Sequence, residues 1–354
     1  MIDARTLGEK PSGVGIYAYR FARALSDDAA TRIVLVTDVC RSRELRELAQ
    51  RENVSVLVLG TKIRKGPALW RYFHFLRRAI AQERPELFWE VNNLLPVRLR
   101  NPYGKYVVTI HDIFPLTMPE QHSPVFRSYF RYGLGKTVKS CDAVIFLTRS
   151  MQREIVARFP RLEKLPQHVG YAIAEPAVGE RAEREDFFLY VGNLEKRKGA
   201  DLLIDAYRRY RAQGGKSELL LAGKLRDAEI ESSLRAAERE LSGLRYLGYV
   251  SEEERDALYR RCRCMVFPSR GEGFGIPLIE AMASGADVIA SRIGVFEEIA
   301  GDRVRYFDLE RGAEGLCAAM LAPAAPPRGE WDNPFTADKL VPGLRAFLRE
   351  LIEK

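Results

Sequence analysis

Two glutamates eight residues apart enclose a glycine-rich stretch whose groups suit the binding of a nucleotide sugar. In GEGFGIPLIE, Glu272 precedes and Glu280 follows the glycines Gly273 and Gly275 and the proline Pro277. The apolar run VFPS before this stretch predicts a strand. Pro277 is typical of a first helical turn, because it lacks the N–H group that would be unpaired there. A helix N-terminus offers N–H donors to a phosphate, and glycines let the backbone approach it closely.

The two carboxylates can accept hydrogen bonds from the vicinal hydroxyls of ribose and of a hexose. The spacing therefore predicts the ribose at Glu280, the diphosphate at the turn and the sugar hydroxyls at Glu272. Two simpler explanations stay open at this point. A glutamate in the first helical turn often only compensates the helix dipole, and a glycine-rich strand-to-helix turn is common in α/β proteins of any function.

Alternating apolar and helical patterns predict the elements that position these residues. Short runs rich in β-branched and aromatic residues predict ten strands, at 32–37, 54–60, 86–91, 105–112, 142–148, 187–192, 218–223, 244–250, 264–269 and 286–291. Helical patterns lie between them, as at 200–211, 227–241 and 252–261. This alternation predicts an α/β protein with two Rossmann-like, doubly wound parallel sheets.

Two polar stretches predict the domain boundaries. Residues 172–186 lack periodicity and predict a linker, and the proline-rich segment 323–331 predicts a connector to a last helix. The expected domains are residues 1–175, residues 176–330 and a C-terminal helix in 331–354 that packs back toward the N-terminal domain. Open parallel sheets bind ligands at the carboxyl ends of their strands. Two such domains facing across a cleft favour a two-substrate enzyme.

Composition excludes several classes of protein. The chain has 354 residues, of which 46% are hydrophobic, and it contains no apolar run of about 18 residues that could span a bilayer. The N-terminus has no signal-peptide core, so the sequence predicts a cytoplasmic protein. The five cysteines and four histidines are scattered, which predicts reduced thiols and no metal centre.

The net charge of +8 is unevenly distributed along the chain. Residues 1–178 contain 28 Lys and Arg against 17 Asp and Glu, whereas the remainder contains 28 against 31. A basic first half favours a polyanionic partner such as an anionic membrane face, although a solvated arginine-rich surface explains the same numbers. A nucleic-acid partner is not expected, because it leaves the glutamate turn unexplained.

Two segments of the first half interleave Lys and Arg with aromatic residues, at 62–84 and 126–139. A basic amphipathic helix with aromatic residues suits the interface of a membrane, so one interpretation of these segments is peripheral attachment to a membrane. The alternative for the first segment is an ordinary buried stripe, formed by Leu69, Phe73, Leu76 and Ile80.

Longer motifs resemble a known family. The run SRGEGFGIPLIEAMASGADVIAS, followed by EEIAGD at 297–302, closely resembles the signature of the family-4 retaining glycosyltransferases, the group 1 enzymes with the GT-B fold. FFLYVGNLEKRKGADLLIDAY at 187–207 is similar to the opening of that family's donor domain. The resemblance implies that the N-terminal domain binds the acceptor and that the C-terminal domain binds the nucleotide-sugar donor.

The same resemblance implies roles for individual residues. Lys198 is expected to reach the donor phosphates. Arginine is frequent in the family where this chain has Asn193, and Arg197 or Lys224 is expected to compensate for its absence. The donor-binding candidates are Gly13, Gly15, Asn193, Arg197, Lys198, Lys224, Gly273, Phe274, Gly275 and Glu280.

The N-terminal half supplies two of these candidates and the expected reaction centre. KPSGVGIYAYRFARAL resembles the family's glycine-rich loop, in which Gly13 and Gly15 would let the backbone approach the donor. In YVVTIHDIFPL, the resemblance implies that His111 contacts the transferred sugar or the acceptor near the anomeric carbon. The candidate catalytic residues are His111, Asp112 and Glu272.

The function that the resemblance implies is a retaining hexosyl transfer without a metal or other cofactor. The donor would be a nucleotide diphosphate sugar, with GDP-mannose favoured, and the acceptor a glycan or lipid-linked oligosaccharide in bacterial surface polysaccharide synthesis, such as lipopolysaccharide. The absence of an Asp-x-Asp motif agrees with metal independence. The alternatives are synthesis of a small soluble glycoside or a sucrose-phosphate-like product, and an inactive scaffold partner of another transferase.

Overall fold

The computed structural model describes residues 1–9, 11–63, 67–93, 99–175, 182–323 and 331–354, without the side chains of residues 67 and 68. The chain forms two compact units. Unit 1 comprises Met1–Ile173 and Phe335–Lys354, and unit 2 comprises Ala174–Pro334. The predicted boundaries follow residues 175 and 330, so both divisions differ from the prediction by a few residues.

Unit 1 contains a seven-stranded parallel sheet with the strand order β3-β2-β1-β4-β5-β6-β7. Its strands are β1 Ile2–Asp3, β2 Ile33–Thr37, β3 Val54–Val58, β4 Leu87–Glu90, β5 Lys105–Ile110, β6 Ala143–Phe146 and β7 Gln167–Val169. The helices that connect them are α1 Gly13–Leu25, α2 Arg43–Leu48, α3 Pro67–Glu83, α4 Phe114–Thr117, α5 Pro124–Ser140 and α6 Arg149–Arg158. The central strands are buried along their whole length, which explains their continuous apolar sequences.

Unit 2 contains a six-stranded parallel sheet with the order β10-β9-β8-β11-β12-β13. Its strands are β8 Glu185–Val191, β9 Glu218–Ala222, β10 Leu244–Gly248, β11 Cys262–Phe267, β12 Asp287–Ser291 and β13 Arg305–Phe307. Its helices are α7 Ala200–Ala212, α8 Ala228–Glu240, α9 Glu252–Arg261, α10 Ile276–Ala283, α11 Gly294–Ala300 and α12 Gly312–Leu321. The prediction of two doubly wound α/β sheets is confirmed.

The last helix of the chain, α13 Ala337–Glu353, belongs to unit 1. It packs against α1 and buries Leu344 and Leu351. An ion pair of 3.1 Å joins Arg349 to Asp28, just beyond the end of α1.

The ten predicted strands are all present, with ends shifted by at most two residues. The pattern of apolar runs missed the two edge strands β7 and β13, whose sequences QHV and RYF form no such run, and the first strand is only two residues long. The predicted linker is too long at its C-terminal end, because β8 already begins at Glu185. Residues 176–181 of that linker and 324–330 of the predicted connector lie outside the described residues.

Each sheet has one point at which the strand order reverses. In unit 1 the reversal lies between β1 and β4, and in unit 2 it lies between β8 and β11. Connections that leave the two strands in opposite directions open a crevice at their carboxyl ends, which is where doubly wound sheets bind ligands. The residues that follow these four strands are therefore the first place to search for a functional site.

Candidate functional site

The glycine-rich stretch connects β11 to α10, as predicted. Gly275 precedes the helix with a φ angle of +107°, a left-handed conformation that favours glycine. A Cβ atom at this position would also lie 2.9 Å from Cε1 of Phe296, so the packing leaves no room for a side chain here. Pro277 lies in the first turn of α10. These residues start the helix at the carboxyl edge of the sheet, directly after β11.

The loop that follows the neighbouring strand β8 packs against this connection. Its 3₁₀ turn Lys196–Lys198 ends at Gly199, whose φ angle is +71°. A Cβ atom on Gly199 would lie 2.0 Å from the carbonyl oxygen of Pro268, so only glycine permits the two loops to approach this closely. The backbone N–H of Arg270 donates to the carbonyl oxygen of Arg197 at 2.8 Å. The two loops at the strand-order reversal of unit 2 are thus held side by side.

A buried ion pair joins these loops. Nζ of Lys198 donates to the two carboxylate oxygens of Glu272 at 2.5 and 2.7 Å. The hydroxyl of Ser269 donates to Oε1 of Glu272 at 2.7 Å, and Nη1 of Arg197 lies 3.8 Å from Oε2. Burial alone would raise the pKa of Glu272, but the charges of Lys198 and Arg197 and the two hydrogen bonds outweigh it, so the pKa falls below its ordinary value. Glu272 is therefore an ionised carboxylate in a buried, positively charged setting.

Arg197 is fixed in place by the same loops. Its Nη2 donates to Oε1 of Glu195 at 2.6 Å, and its Nη1 donates to the carbonyl oxygen of Gly271 at 2.8 Å. Because two groups anchor it, the guanidinium adds a positive charge to the site at little further cost in conformational entropy. The structure therefore brings together three sequence-predicted residues, Arg197, Lys198 and Glu272.

Glu280 lies on the buried side of α10 and contacts α9. Its Oε2 is 3.6 Å from Nε of Arg255. Burial lowers the pKa of Arg255, but Glu280, the largest of several favourable charges, outweighs it together with Tyr259, Asp256 and Glu252, so the pKa rises. Burial also raises the pKa of Tyr259, and the charge of Glu280 adds to the shift. The hydroxyl of Tyr259 is buried without a hydrogen-bond partner among the described residues. Arg255 was not identified from the sequence, because the polar segment EEERDALYRR contains several arginines and its pattern distinguishes none of them.

The other predicted donor-binding residues of unit 2 lie along the same edge. Lys224 follows β9, and its Nζ stands 4.7 Å from the ring centre of the exposed Tyr249. The carbonyl oxygen of Asn193 accepts a hydrogen bond of 2.7 Å from the hydroxyl of Tyr190. Gly273 is half-buried, whereas Phe274 is buried and packs in the core. Phe274 therefore fixes the loop from within.

In unit 1, His111 follows β5 and is buried. Its Nε2 lies 2.8 Å from the carbonyl oxygen of Val91 and donates a hydrogen bond to it, and its backbone N–H donates to Oδ1 of Asn93 at 2.6 Å. The imidazole packs edge-on against Tyr17, with ring centres 4.9 Å apart. Burial lowers the pKa of His111 to about 4, so the imidazole is neutral at neutral pH. The proton on Nε2 leaves Nδ1 as the acceptor.

The remaining predicted residues of unit 1 have local structural roles. Oδ1 of Asp112 accepts from the backbone N–H of Phe114 at 3.2 Å, which starts α4. A Cβ atom on Gly15 would lie 2.4 Å from the carbonyl oxygen of Thr6, so helix packing alone explains this glycine. Gly13, in contrast, has open space around it. Of these two glycines, only Gly13 has the open space through which a ligand could approach the backbone, as the sequence led us to expect for both.

Two family models match the chain, one over each unit. The model described as Glycosyltransferase Family 4 matches residues 11–166, and the model described as Glycosyl transferases group 1 matches residues 173–316. Together they span most of the chain. The chain belongs to the family-4, group 1 glycosyltransferases.

Relatives of this glycosyltransferase include two mannosyltransferases. The serotype-specific mannosyltransferase WbdA of Escherichia coli is 29% identical over 216 residues, which are 56% of this chain and 26% of WbdA. The chain thus matches about a quarter of the length of that relative. The O-antigen chain mannosyltransferase RfbU of Salmonella typhimurium is 26% identical over 312 residues, which are 86% of each chain.

The fold is shared with solved glycosyltransferases. The sucrose-phosphate synthase of Thermosynechococcus elongatus superimposes with a TM-score of 0.70 at 19% identity, covering 99% of this chain and 94% of the synthase. The glycosyltransferase therefore has the GT-B fold, as predicted. None of its described helices is long and apolar enough to cross a membrane. Among the same residues, no three His, Cys, Asp or Glu side chains are grouped as they would be to hold a metal ion.

The arrangement in unit 2 of the glycosyltransferase can bind an anion beside a hydroxyl-bearing group. Lys198 has three N–H donors, and a carboxylate has about four acceptor positions, so the ion pair leaves both partners with remaining capacity. The N-terminus of α10 adds a positive helix-dipole end. Positive charge next to a buried carboxylate is chemically suited to a ligand that carries both phosphate and hydroxyl groups.

Proposed function

We propose that this glycosyltransferase transfers mannose from GDP-mannose to a hydroxyl of a glycan or lipid-linked oligosaccharide in bacterial surface polysaccharide synthesis. The observation that carries the proposal is the Lys198–Glu272 pair at the strand-order reversal of unit 2. The preference for mannose rests on WbdA and RfbU, which are named as mannosyltransferases. The donor, the acceptor and the linkage at the anomeric carbon are parts of the proposal.

In this proposal the diphosphate lies against Lys198, Arg197 and the N-terminus of α10. The leaving nucleoside diphosphate gains negative charge as the glycosidic bond breaks, and fixed positive groups stabilise that charge in the transition state. Glu272 accepts hydrogen bonds from the sugar hydroxyls, and its pairing with Lys198 keeps it ionised for that purpose. Glu280, beside Arg255, binds the ribose. Because these positive groups neutralise the diphosphate, the proposed reaction needs no metal ion or other cofactor.

We assign neither glutamate as a nucleophile, because the proposal uses both as ligands of the donor. The pairing of Glu272 with Lys198 and of Glu280 with Arg255 supports this choice. The proposed reaction retains the anomeric configuration, with the leaving phosphate helping to deprotonate the acceptor hydroxyl. His111 supports this reaction as a neutral group, because its lowered pKa prevents it from donating a proton as an acid near neutral pH. Its part is to fix the geometry near the anomeric carbon.

The protein is also proposed to bind the inner face of the cytoplasmic membrane, through α5. The predicted stripe on α3 is buried at Phe73, Leu76 and Ile80, so that part of segment 62–84 packs internally, although Trp70 is 62% exposed. Residues 64–66 of that segment lie outside the described residues. On α5, by contrast, an apolar and aromatic surface faces outward.

This surface consists of Val125, Phe126, Tyr129 and Tyr132, of which Val125 is 81% and Tyr132 is 59% exposed. Val125, Tyr129 and Tyr132 are spaced by four and three residues and so share one face of the helix. The sequence of α5 contains four Lys and Arg residues and no Asp or Glu. Aromatic side chains flanked only by positive charge are complementary to an anionic lipid interface.

Thermal unfolding in the presence of nucleotide sugars tests the donor assignment. We expect GDP-mannose to raise the melting temperature more than UDP-glucose or dTDP-rhamnose, and to do so equally with and without EDTA, because binding to the native state alone stabilises it. A larger shift with UDP-glucose would favour the soluble-glycoside alternative. The absence of a shift with every nucleotide sugar would contradict the donor site and favour the scaffold alternative.

A further inference from the structure

The strand-order reversal of unit 1 contains an acidic pair that the mechanism above does not use. Asp3 and Glu90 are the last residues of β1 and β4, and they are partners in the register of these parallel strands. Register partners project to the same side of a sheet, so the two carboxyl groups are neighbours. Both side chains are completely buried. Two acids are thus forced together at the position where a doubly wound sheet opens its crevice.

Arg5 bridges the two carboxyl groups. Its Nε lies 3.0 Å from Oδ2 of Asp3, and its Nη2 lies 3.4 Å from Oε1 of Glu90. The hydroxyl of Tyr72 donates to Oδ1 of Asp3 at 2.5 Å, and the guanidinium stands 5.4 Å from the centre of the Tyr72 ring. Arg5 reaches solvent, with 17% of its side chain exposed, whereas Asp3 and Glu90 do not. The cluster therefore fixes one arginine at the surface of the crevice.

The charge of the cluster is balanced by a proton. Burial raises the pKa of Glu90 well above its ordinary value, the charge of Asp3 adds to the shift, and Arg5 offsets it only in part. Glu90 is thus held protonated beside the Asp3–Arg5 ion pair. Asp3 neutralises Arg5, and Glu90 donates or accepts a hydrogen bond without adding negative charge. An anion can therefore approach Arg5 without meeting two carboxylates.

The cluster is incompletely satisfied within the protein. Oδ1 of Asn92 is buried without a hydrogen-bond partner among the described residues. The backbone N–H of Asn92 donates to Oε1 of Glu90 at 2.8 Å, so this orphaned atom belongs to the same cluster, whereas the protonated carboxyl of Glu90 shares a hydrogen bond with Asp3. Buried polar atoms are rarely left unpaired in native proteins. A buried ion pair that served stability alone would gain little over apolar packing.

The surroundings of Arg5 favour an anionic ligand. Burial raises the pKa of Tyr129 on α5, and the positive charge of Arg5 partly offsets that shift, so Tyr129 lies within the electrostatic reach of Arg5. The sequence of α5 contains only positive charges, and residues 1–178 as a whole have an excess of Lys and Arg. A planar guanidinium with unused donors binds phosphate oxygens well, since it can form two parallel hydrogen bonds.

We propose that Arg5, held by Asp3 and Glu90, is a substrate-binding residue that receives a phosphate or diphosphate group of the acceptor at the crevice of unit 1. The assignment to the acceptor rests on the proposed function, because unit 2 already holds the groups that suit the phosphates of the donor. Asp3 and Glu90 are positioning residues, which act through Arg5 and do not touch the ligand.

Calorimetric titration of inorganic pyrophosphate into the full chain tests this inference. The wild type is expected to bind at two sites, one in each unit. The double variant Arg5→Met/Asp3→Asn removes a positive and a negative charge together, so it avoids leaving Asp3 buried and unpaired, and it should lose one site. Arg5→Lys should weaken that site about tenfold, since the paired hydrogen bonds are lost. Arg153→Met, at an exposed arginine of α6, should retain both sites.

The positioning roles have a separate readout. Glu90→Gln imitates the protonated acid and should keep the pyrophosphate site, whereas Asp3→Asn should weaken it because Arg5 loses its ionised partner. An unchanged number of sites in Arg5→Met/Asp3→Asn would overturn the inference. GDP should bind this variant as it binds the wild type, and weakened GDP binding would overturn the assignment to the acceptor. If Arg5→Met/Asp3→Asn lost one pyrophosphate site and Lys198→Met/Glu272→Gln lost none, the inference about Arg5 would stand. The proposed donor site in unit 2 would then be contradicted.

Discussion

The ammonium group of Lys198 lies 2.5 and 2.7 Å from the two carboxylate oxygens of Glu272, although 74 residues separate them in the chain. They meet because β8 and β11 are neighbours at the strand-order reversal of unit 2. Lys198, which is expected to bind the donor phosphates, and Glu272, which is expected to bind the sugar hydroxyls, therefore form one ion pair. A change to either residue alters the charge and the conformation of the other.

This coupling predicts an asymmetric double-mutant cycle for stability. Lys198→Met should lower the free energy of unfolding by about 3 kcal/mol, because Glu272 is left buried and without its main partner. Lys198→Met/Glu272→Gln should recover most of that loss, since neither charge then remains. Urea denaturation measures both values.

Lys216→Met provides the control for this cycle, because Lys216 is an exposed lysine of the same unit. Its free energy of unfolding should stay within about 0.5 kcal/mol of the wild type. Equal stability of Lys198→Met and Lys216→Met would show that the Lys198–Glu272 contact has no energetic weight.

Burial of a neutral His111 predicts a loss of stability in acid. The pKa of His111 is about 4 in the folded protein against 6.5 in the unfolded chain, so the unfolded chain binds more protons between these values. The free energy of unfolding should therefore fall as the pH falls through this window, by up to roughly 3 kcal/mol. His111→Gln lacks this pH-dependent contribution to the free energy of unfolding. The amount by which the variant is less stable than the wild type should therefore be smaller near pH 5 than near neutral pH.

The same variant tests the place of His111 in the reaction. Turnover should fall more than donor affinity, because the residue fixes geometry near the transferred sugar and contributes nothing to the nucleotide site. The limbs of the pH–rate profile should keep their positions, since a group with a pKa of about 4 does not titrate near neutral pH. Disappearance of a limb near neutral pH in His111→Gln would identify His111 as a general acid or base and contradict the proposal.

The sequence predicted the fold and the position of the glycine-rich turn because both depend on local patterns. Buried parallel strands are continuous apolar runs, and Gly275 and Pro277 mark the start of a helix by their own backbone preferences. What the pattern could not show is which side chains meet across neighbouring strands. Arg255 beside Glu280, and Asp3 beside Glu90, depend on strand order and register, which a single sequence does not encode locally.

A second limit concerns residues whose burial is decided by tertiary packing. The sequence pattern of α3 suited a membrane surface and a buried stripe equally, and the structure buries three of the four residues of that stripe, Phe73, Leu76 and Ile80. Gly15 has the form of a ligand-binding glycine, yet its missing side chain makes room for the carbonyl oxygen of Thr6. In both cases the sequence shows which residues are present, but it does not show which part of the folded protein packs against them.

The raised pKa of Glu90 predicts the opposite pH dependence from that of His111. A carboxyl group that is protonated in the folded protein contributes stability below its unfolded pKa, and this contribution is lost as the pH rises through the folded value. The groups around it are Asp3, Arg5, Tyr72 and Tyr106. Glu90→Gln should therefore become more stable relative to the wild type as the pH is raised above the ordinary carboxyl range.

The exposed Glu86 of the same unit provides the matched control. Glu86→Gln should show no pH-dependent difference from the wild type in the same denaturation experiment. If Glu90→Gln instead lost stability relative to the wild type as the pH rose, Glu90 would be an ionised partner of Arg5, and the neutral form of the cluster would be wrong.

The surface of α5 predicts binding to anionic vesicles. The wild type should float with vesicles that contain phosphatidylglycerol at low salt and should remain unbound with pure phosphatidylcholine, because the positive residues need anionic lipid. Val125→Glu/Tyr132→Glu places two negative charges in the exposed face and should abolish flotation. Ile352→Glu changes an exposed apolar residue of α13 and should float as the wild type does. Equal flotation of both variants would exclude α5 as the membrane contact.

Calorimetric titration of GDP-mannose tests the central claim most directly, which is that the loops after β8 and β11 bind the donor. The wild type should bind one molecule, and both Lys198→Met/Glu272→Gln and Glu280→Gln should weaken binding by about tenfold or more, since each removes a hydrogen-bonded or charged contact to the ligand. Lys216→Met should bind as the wild type does. Unchanged affinity in the Lys198→Met/Glu272→Gln variant would contradict the account, because the donor would then bind elsewhere.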